Sequence, residues 1–382
     1  MPAAAYCRLP LPERLAALFG SEAWQRLPDT ADLCLATGSV DGRELMLLAT
    51  DPQRAKGTLG VAECRVAAEA VRAAAAQRKP LLLLLDSAGA RLDAGLAIQG
   101  ALRRLVRELL DARLAGLPMY ALLGHHVFGG ASLLAFVAPQ RGYAAQTLLA
   151  MSGPRVLQGQ ADSAVGHGDA LHAIAAAARC AHAGGERLLG DAAGESRAAV
   201  AAWLAASAAR ASAAQALAAD RVSLSQRLGS VASRAEASLE AGGLRFRCGQ
   251  LFGAADALAL AGLAARAALR PGPLLLRFDC PGHSLALQDE SLLLSHYLAH
   301  LALSLRQLVN AGTELRLRIE GEISGGIYVA LASAASSVEL APGAVVRTLP
   351  RASLAHILKD GREEPADPAR YLEQGVVDAI AG

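Results

Sequence analysis

The chain has 382 residues and a formal net charge of +2; 53% of its residues are hydrophobic, 19% are charged and 4% are aromatic. At roughly 150 residues per domain, this length predicts two domains, with enough apolar residues for a core in each. Because positive charge is not in excess and no basic run is interleaved with aromatic rings, the sequence argues against nucleic acid as a partner.

The six cysteines are scattered along the chain and form no C-x-x-C pair. In a chain of this length, that pattern is typical of reduced thiols in an intracellular protein. The N-terminal segment lacks the charged and apolar regions of a signal peptide. The longest wholly aliphatic run, residues 81–85, is too short to span a bilayer. The sequence therefore predicts a cytoplasmic protein that has no membrane partner.

The first half begins with an amphipathic pattern and a hairpin. The Asp41-Gly42 pair lies between two apolar runs and is a typical hairpin turn. The five leucines at 81–85 indicate a strand that is buried on both faces. The predicted elements in chain order are a helix at 8–28, strands at 33–37 and 44–49, a helix at 62–77, a strand at 81–85, a helix at 96–115 and a strand at 119–123.

The middle of the chain, residues 160–240, is rich in alanine and arginine, and its pattern predicts helices. The order of the first half then returns. The predicted elements are a strand at 244–248, a helix at 254–269, a strand at 274–278, a helix at 289–311 and a strand at 315–319. Both halves contain a buried strand, a glycine turn, a long helix, a second buried strand and a Gly-Gly pair that opens a helix. This order predicts a degenerate internal repeat.

The repeated glycine turns suggest binding of negative charge. A Gly-Gly pair at a helix start leaves unpaired N–H groups beside the positive end of the helix dipole, and a neighbouring strand-end turn can supply a second donor. Two converging donors make an oxyanion hole, each worth about 2.7–4 kcal/mol to an anionic transition state. A single such pair is often just a tight turn, and the dinucleotide and P-loop patterns are absent. The pairing in both halves favours the functional interpretation.

Short motifs in both halves carry a resemblance to a known family. Residues 83–92 (LLLDSAGARL), 128–132 (FGGAS) and 151–157 (MSGPRVL), with 56–60 (KGTLG), resemble the beta subunit of biotin-independent malonate decarboxylase. They are also similar to the beta-type half of biotin-dependent acyl-CoA carboxyltransferases. Residues 278–284 (FDCPGHS) and 321–327 (GEISGGI) resemble the gamma subunit of that decarboxylase. The similarity covers about residues 30–157 and 245–357.

The resemblance implies an α/β fold of two crotonase-like (ClpP/crotonase) domains of repeated ββα units. It implies a beta-type domain at 1–215, a helical connector at 216–243 and a gamma-type domain at 244–382. An acyl thioester would lie between the two domains, with CoA or a phosphopantetheine-type arm as part of the substrate and no tightly bound cofactor or metal. The partner would be an acyl carrier protein or a CoA thioester. Because related transferases place the active site between different protomers, a homodimer or larger homo-oligomer is expected.

In this family the reaction is decarboxylation of a malonyl thioester to the acetyl thioester through an enolate. We expect backbone N–H groups to hold the enolate oxygen, from Gly89 or Ala90 together with Gly129 and Gly130. A second hole is expected from Gly282 with Gly325 and Gly326. The chain departs from the family at His125 and His126, where small residues are usual, and it is shorter than the two subunits joined end to end.

Side chains near these turns have alternative interpretations. His283 either orients a carboxylate and protonates the carbanion, or is a plain turn histidine. Ser324 either donates to an anion or caps a helix, and we favour the cap. Arg155 either neutralises a carboxylate or phosphate, or forms a structural ion pair.

One of His125 and His126 is a candidate for a chemical role, and we expect His126 and Phe128 to contact substrate. His296 and His300 are spaced i, i+4, but no third ligand accompanies them in the sequence, so no metal site is predicted.

Three functions therefore remain from the sequence. The first is decarboxylation of malonyl-CoA or malonyl-acyl carrier protein. The second is a biotin-dependent acyl-CoA carboxyltransferase, whose biotin carrier would be a separate protein. The third is a non-catalytic scaffold that binds an acyl carrier protein.

Overall fold

The computed structural model describes residues 5–28, 32–160, 167–181, 186–190, 192–207, 212–240, 243–270, 272–351, 353 and 367–381. Within these ranges the α-helices are α1 (Leu11–Phe19), α2 (Val61–Ala76), α3 (Ala97–Leu114), α4 (Gly130–Val137), α5 (Pro154–Gln160), α6 (His167–Ile174), α7 (Ala176–Cys180), α8 (Ala193–Ala206), α9 (Ala213–Leu228), α10 (Ala254–Ala267), α11 (Leu287–Ser291), α12 (Leu294–Asn310), α13 (Gly325–Ala334) and α14 (Pro368–Glu373). The strands are β1 (Trp24–Arg26), β2 (Leu33–Val40), β3 (Arg43–Thr50), β4 (Leu81–Ser87), β5 (Met119–Phe128), β6 (Gln140–Ala144), β7 (Leu148–Ala150), β8 (Glu186–Leu189), β9 (Glu236–Glu240), β10 (Gly243–Arg247), β11 (Leu274–Asp279), β12 (Leu315–Ile319), β13 (Glu322–Ser324), β14 (Ser337–Leu340), β15 (Val345–Arg347) and β16 (Ala379–Ile380).

The first sheet is built around the leucine-rich strand β4. Its order is β1-β2-β3-β4-β5-β6-β8, and β7 pairs with the far end of β5. The hairpin of β2 and β3 turns at Asp41-Gly42 as predicted, with Val40 opposite Arg43. From β3 to β8 the neighbours run parallel. Every residue of β4 is buried because helices and strands cover both faces of the sheet.

The second sheet has the order β16-β14-β12-β11-β10-β9. All of its neighbours are parallel except β9 and β10. The connections between the parallel strands are helical, with α10 before β11, α12 before β12 and α13 before β14. Two mainly parallel sheets flanked by helices confirm the predicted α/β class.

Some boundaries differ from the expectations. The predicted helix at 8–28 is wrong beyond Phe19, because Gly20 adopts φ +63° and ends α1. The predicted helix at 289–311 is divided into α11 and α12 by Leu293, which has φ +66°. The middle region also contains strands, since β8 extends the first sheet and β9 begins the second. Helix α9 crosses the predicted boundary at 215, and the division into domains stays a prediction.

The two halves pack directly against each other. Helix α3 lies against α13, and one hydrophobic cluster contains buried residues from both sheets. The Arg103 side chain crosses from α3 and donates to the carbonyl oxygens of Ala332 (3.0 Å) and Val376 (3.3 Å) and to the Asp378 carboxylate. Arg107 donates to the same Ala332 carbonyl and to the carbonyl groups of Ser333 and Ala335 at the end of α13. These contacts hold the end of α13 against α3.

Candidate functional site

A cavity of about 550 Å³ lies between the two halves. The helix starts Gly130 of α4 and Gly325 of α13 both contribute to its wall. Ten of the twelve residues predicted for the site line it: Gly89, Ala90, His126, Phe128, Gly129, Gly130, Arg155, His283, Gly325 and Gly326. The lining does not include Gly282 and Ser324. The structure thus brings the glycine turns of both halves to one cavity.

The two glycine turns of the first half are in contact with each other. Gly89 has φ +109°, and a Cβ atom placed there would lie 3.2 Å from the carbonyl oxygen of Phe128. Gly129 has φ +56°, and a Cβ atom there would lie 3.7 Å from the Cα of Gly89. Both positions combine a left-handed backbone with close approach, which favours glycine. Their role is to bring the end of β4 against the start of α4.

The amides that face this junction are not all available to a ligand. Gly89 N–H donates to Ser87 Oγ at 3.0 Å, and Gly129 N–H donates to the Ala150 carbonyl at 3.1 Å. In contrast, the N–H groups of Ala90 and Gly130 have no hydrogen-bond partner in the part of the chain that the structure describes. Within the predicted set of the first half, the amides of Ala90 and Gly130 are therefore available to a ligand, whereas those of Gly89 and Gly129 are occupied.

The second glycine turn is filled by a side chain of its own half. Gly326 N–H donates to Nδ1 of His283 at 3.1 Å, so the expectation that Gly326 offers its amide to an anion is corrected. Gly325 has φ +63°, and a Cβ atom there would lie 2.5 Å from the same ring nitrogen. Burial lowers the pKa of His283 to about 4, against a smaller opposing effect of a hydrogen bond with the Ser324 backbone. The imidazole is therefore neutral at pH 7 and does not act there as the proton donor considered from the sequence.

Gly282 and Ser324 do not line the cavity but pack against each other next to the His283 turn. Ser324 Oγ donates to the Pro281 carbonyl at 2.6 Å and makes no capping hydrogen bond at the start of α13, so the predicted cap is wrong. A Cβ atom at Gly282 would lie 2.3 Å from Ser324 Oγ. Both residues hold the Pro281–His283 segment against the helix start.

The wall nearest β5 is formed by His126 and Phe128, whose rings stack at 5.5 Å between centroids. The backbone N–H groups of His125 and His126 both donate at 3.1 Å to the buried carboxylate of Asp86, which pairs with Arg14 at 2.8 Å. Burial lowers the pKa of each histidine. These contacts fix the strand end and present a neutral His126 ring to the cavity.

Arg155 is the cation of the predicted set. It is exposed at the cavity, and its guanidinium has no ion-pair or hydrogen-bond partner among the residues described. The alternative of a structural ion pair therefore has no support within those residues. A guanidinium with no partner among the described residues, lining the same cavity as the Ala90 and Gly130 amides, suits an anionic ligand, because it can bind a carboxylate through two hydrogen bonds.

His296 and His300 lie away from this cavity. Both rings contact the carboxylate of Asp220 on α9, at 2.7 Å and 3.0 Å. The two histidines and hydrogen bonds to them lower the pKa of Asp220, against its burial. Among the described residues no group of three or more His, Cys, Asp or Glu side chains is arranged to hold a metal ion. Asp220 is a partner that the i, i+4 spacing alone does not reveal.

Five polar residues that were given no role from the sequence also line the cavity. They are Lys56, Gln99, Ser152, Thr348 and Ser353. Ser152 belongs to the recognised 151–157 motif, so its position carried a signal. Gln99 donates to the carbonyl groups of Arg347 and Thr348 at 2.9 Å and closes the wall on the side of the second half.

The comparisons with known proteins agree with this architecture. No protein-family model matches the chain. An acetyl-coenzyme A carboxylase carboxyl transferase subunit beta from Gluconobacter oxydans is 28% identical over 130 residues, which are 33% of this chain and 44% of that protein. The chain thus spans under half the length of this curated relative.

Solved structures extend the comparison to the fold. A chain of a Pseudomonas malonate decarboxylase heterotetramer, crystallised in complex with malonate, superposes with a TM-score of 0.51 at 22% identity, over 62% of this chain and 94% of that one. The 12S transcarboxylase superposes more loosely, with a TM-score of 0.46 at 15% identity over 98% of this chain and 87% of its own. The likeness to the decarboxylase chain confirms that this chain has the crotonase-like α/β fold of these enzymes.

Finally, no described helix is both long enough and apolar enough to span a bilayer.

Proposed function

We propose that this chain is an enzyme that decarboxylates a malonyl thioester to the acetyl thioester. The observation that carries the proposal is the pair of free N–H groups at Ala90 and Gly130, which share a cavity with the free guanidinium of Arg155. The two N–H groups suit a thioester oxygen that becomes negative, and the guanidinium suits a carboxylate. The Pseudomonas enzyme, crystallised with malonate, lends this choice support.

In the proposed reaction the bond between the carboxyl carbon and the α-carbon breaks. Its electron pair moves into the thioester, CO2 leaves, and the charge is held on the oxygen between Ala90 and Gly130. The α-carbon then takes a proton from water. A carboxylate held out of the plane of the carbonyl aligns the breaking bond with the π system, and fixing that geometry is the task proposed for Arg155.

The second glycine turn has a supporting role in this proposal. Because His283 accepts the N–H of Gly326, the anion is bound by the turns of the first half. The second half closes the cavity with Gly325, Gly326 and the neutral His283 ring. We further propose that the thioester arm is that of CoA or of an acyl carrier protein.

Carboxyl transfer between biotin and an acyl-CoA is the second candidate. It needs the same stabilised enolate. The 28% sequence identity to a carboxyl transferase subunit beta, over a third of this chain, favours it. Release of labelled CO2 from malonyl-CoA or malonyl-acyl carrier protein separates the candidates. Release without biotin supports decarboxylation, a requirement for biotin supports transfer, and no turnover under either condition supports a scaffold.

The role of the Gly130 amide has a direct test. Gly130→Pro removes its N–H at the first position of α4, where the φ of proline is tolerated. Gly130→Ala keeps the N–H and adds a Cβ atom 3.3 Å from the Leu102 side chain, which is flexible. We expect the proline variant to lower kcat by about 10²–10³-fold and the alanine variant to lose much less. Equal turnover of the two folded variants would contradict the assignment.

A further inference from the structure

Ser152 is buried in the wall of the cavity, yet its hydroxyl group is unpaired. The residue is 4% exposed, and Oγ has no hydrogen-bond partner among the residues that the structure describes. A buried hydroxyl without a partner is destabilising, and native proteins leave few of them. Because Ser152 also lines the cavity, a bound ligand can supply the missing partner.

The backbone around Ser152 is held from the other half of the chain. The Glu290 carboxylate on α11 accepts the N–H of Ser152 at 2.7 Å and the N–H of Met151 at 3.2 Å. Glu290 is fully buried, and the buried Arg179 guanidinium lies 3.6 Å from its carboxylate. Arg179 also donates to the Leu149 and Glu290 carbonyls. Two consecutive amides on one carboxylate fix the orientation of this segment.

Arg155 lies three residues after Ser152 in the same wall. Residues 151–156 line the cavity without interruption, so the unpaired hydroxyl and the free guanidinium belong to one surface. The free amides of Ala90 and Gly130 come from other segments. The cavity therefore has two sources of donors, backbone N–H groups from the glycine turns and side chains from residues 151–156.

We propose that Ser152 is a substrate-binding residue whose hydroxyl donates to the free carboxylate of the acyl group, and that Glu290 is its positioning residue. This inference rests on the proposed function and deepens it, since it assigns selection of carboxylated over plain acyl thioesters to the 151–156 wall. A hydroxyl donating to a carboxylate forms a charge-assisted hydrogen bond, which is stronger than a neutral one. An acetyl thioester has no carboxylate and gains nothing from this contact.

The test compares Ser152→Ala with wild type, using malonyl-CoA as substrate and acetyl-CoA as competitive inhibitor. A hydrogen bond to a charged group is worth about 1.5–3 kcal/mol, so we expect kcat/KM for malonyl-CoA to fall about 10–100-fold. The inhibition constant of acetyl-CoA is expected to stay within about twofold. Ser152→Thr keeps a hydroxyl and is expected to recover part of the loss. Ser333→Ala is the matched control, because Ser333 is equally buried but pairs with the Ala330 carbonyl outside the cavity.

The outcomes separate this inference from the function on which it rests. If wild type turns over malonyl-CoA and Ser152→Ala matches it, the role of Ser152 is refuted while decarboxylation stands. Equal losses for malonyl-CoA and acetyl-CoA would place the hydroxyl on the thioester or its arm and overturn carboxylate selection. If wild type neither turns over malonyl-CoA nor binds acetyl-CoA, the proposed function fails first. Glu290→Gln tests positioning, and we expect it to raise KM for malonyl-CoA while leaving acetyl-CoA inhibition unchanged.

Discussion

At the scale of single residues, the protonation state of His283 decides whether the second glycine turn keeps its hydrogen bond to the Gly326 N–H. Its Nδ1 accepts the N–H of Gly326, and the ring is 3% exposed. A protonated ring would lose this acceptor, because both nitrogens of an imidazolium are donors. The turn therefore depends on a neutral histidine, and its stability depends on pH.

The first prediction follows from this dependence. Burial lowers the pKa of His283 from 6.5 to about 4. In the unfolded chain the ring takes a proton near pH 6.5, whereas in the fold it does so only near pH 4, so stability is present above pH 6.5 and is lost as the pH falls toward 4. His283→Asn offers an amide oxygen to Gly326 and does not titrate. We expect its free energy of unfolding to gain up to about 3 kcal/mol on wild type between pH 7 and pH 4, measured by urea denaturation. Parallel pH profiles for the two proteins would contradict a buried neutral ring.

The glycine turns were found from the sequence because their spacing repeats in both halves, and the structure places them at one cavity. The sequence named Ala90 and Gly130 together with Gly89 and Gly129. It could not separate free from occupied amides, because that depends on Ser87 Oγ and the Ala150 carbonyl occupying the neighbouring N–H groups. The partner of Gly326 is likewise a side chain 43 residues away. Such contacts are set by tertiary packing and leave no local pattern.

At the scale of elements, the hairpin of β2 and β3 shows a turn that the sequence determines. Asp41 and Gly42 have φ of +50° and +71°, and left-handed conformations at both central residues are those of the tight turn that Asp-Gly favours. The Asp41 carboxylate also pairs with Arg197 at 2.9 Å. Local preference and tertiary contact here agree.

The second prediction concerns this turn. A Cβ atom at Gly42 would meet no atom within 4 Å, so Gly42→Ala tests the backbone conformation alone. We expect it to lower the free energy of unfolding by about 1 kcal/mol, since an L side chain disfavours positive φ. Gly194→Ala is the control, because its Cβ atom also meets open space but the residue lies in α8 with negative φ. We expect that variant to be as stable as wild type or more so. Equal destabilisation of both variants would argue against a backbone cause.

Whether each of the other helices and strands could be predicted depends on whether the local sequence alone determines it. The leucine run at 81–85 and the strand at 315–319 were predicted because apolar runs with flanking breakers need no tertiary information. The break between α11 and α12 was missed, because nothing in the composition of Leu293 favours φ +66°. Leu293 is buried at this break, and the nearby Glu290 carboxylate contacts Ser152 of the first half, so its surroundings form only once both halves are in place. β8 and β9 were missed because alanine-rich surroundings favour helix.

At the scale of the whole molecule, one chain supplies both walls of the cavity. The expectation of a homodimer rested on related enzymes whose active sites lie between protomers. Here Gly130 from the first half and His283 from the second meet within a single chain. The cavity therefore gives no reason to require a second copy, and the homodimer stays a prediction.

The last prediction tests whether the halves are one folding unit. Arg103 is 3% exposed, comes from α3 and bonds to Ala332, Val376 and Asp378 in the second half, so its removal breaks buried hydrogen bonds and an ion pair between the halves, although each acceptor keeps another donor. Each hydrogen bond of a charged group contributes about 1.5–3 kcal/mol. We expect Arg103→Leu to lower the free energy of unfolding by several times the effect of Arg316→Leu, which breaks an exposed ion pair worth about 0–1 kcal/mol.

Hydrogen exchange then shows which part of the chain is destabilised by Arg103→Leu. Because one apolar cluster joins both sheets, the slowest-exchanging amides of β4 and of β12 are expected to lose protection by the same factor. A loss confined to β12 would mean that the second sheet unfolds on its own, as two separate domains would. In that case the cavity would open without unfolding of the first half, and the 151–156 wall would lose its Glu290 contact while Ala90 and Gly130 kept their positions.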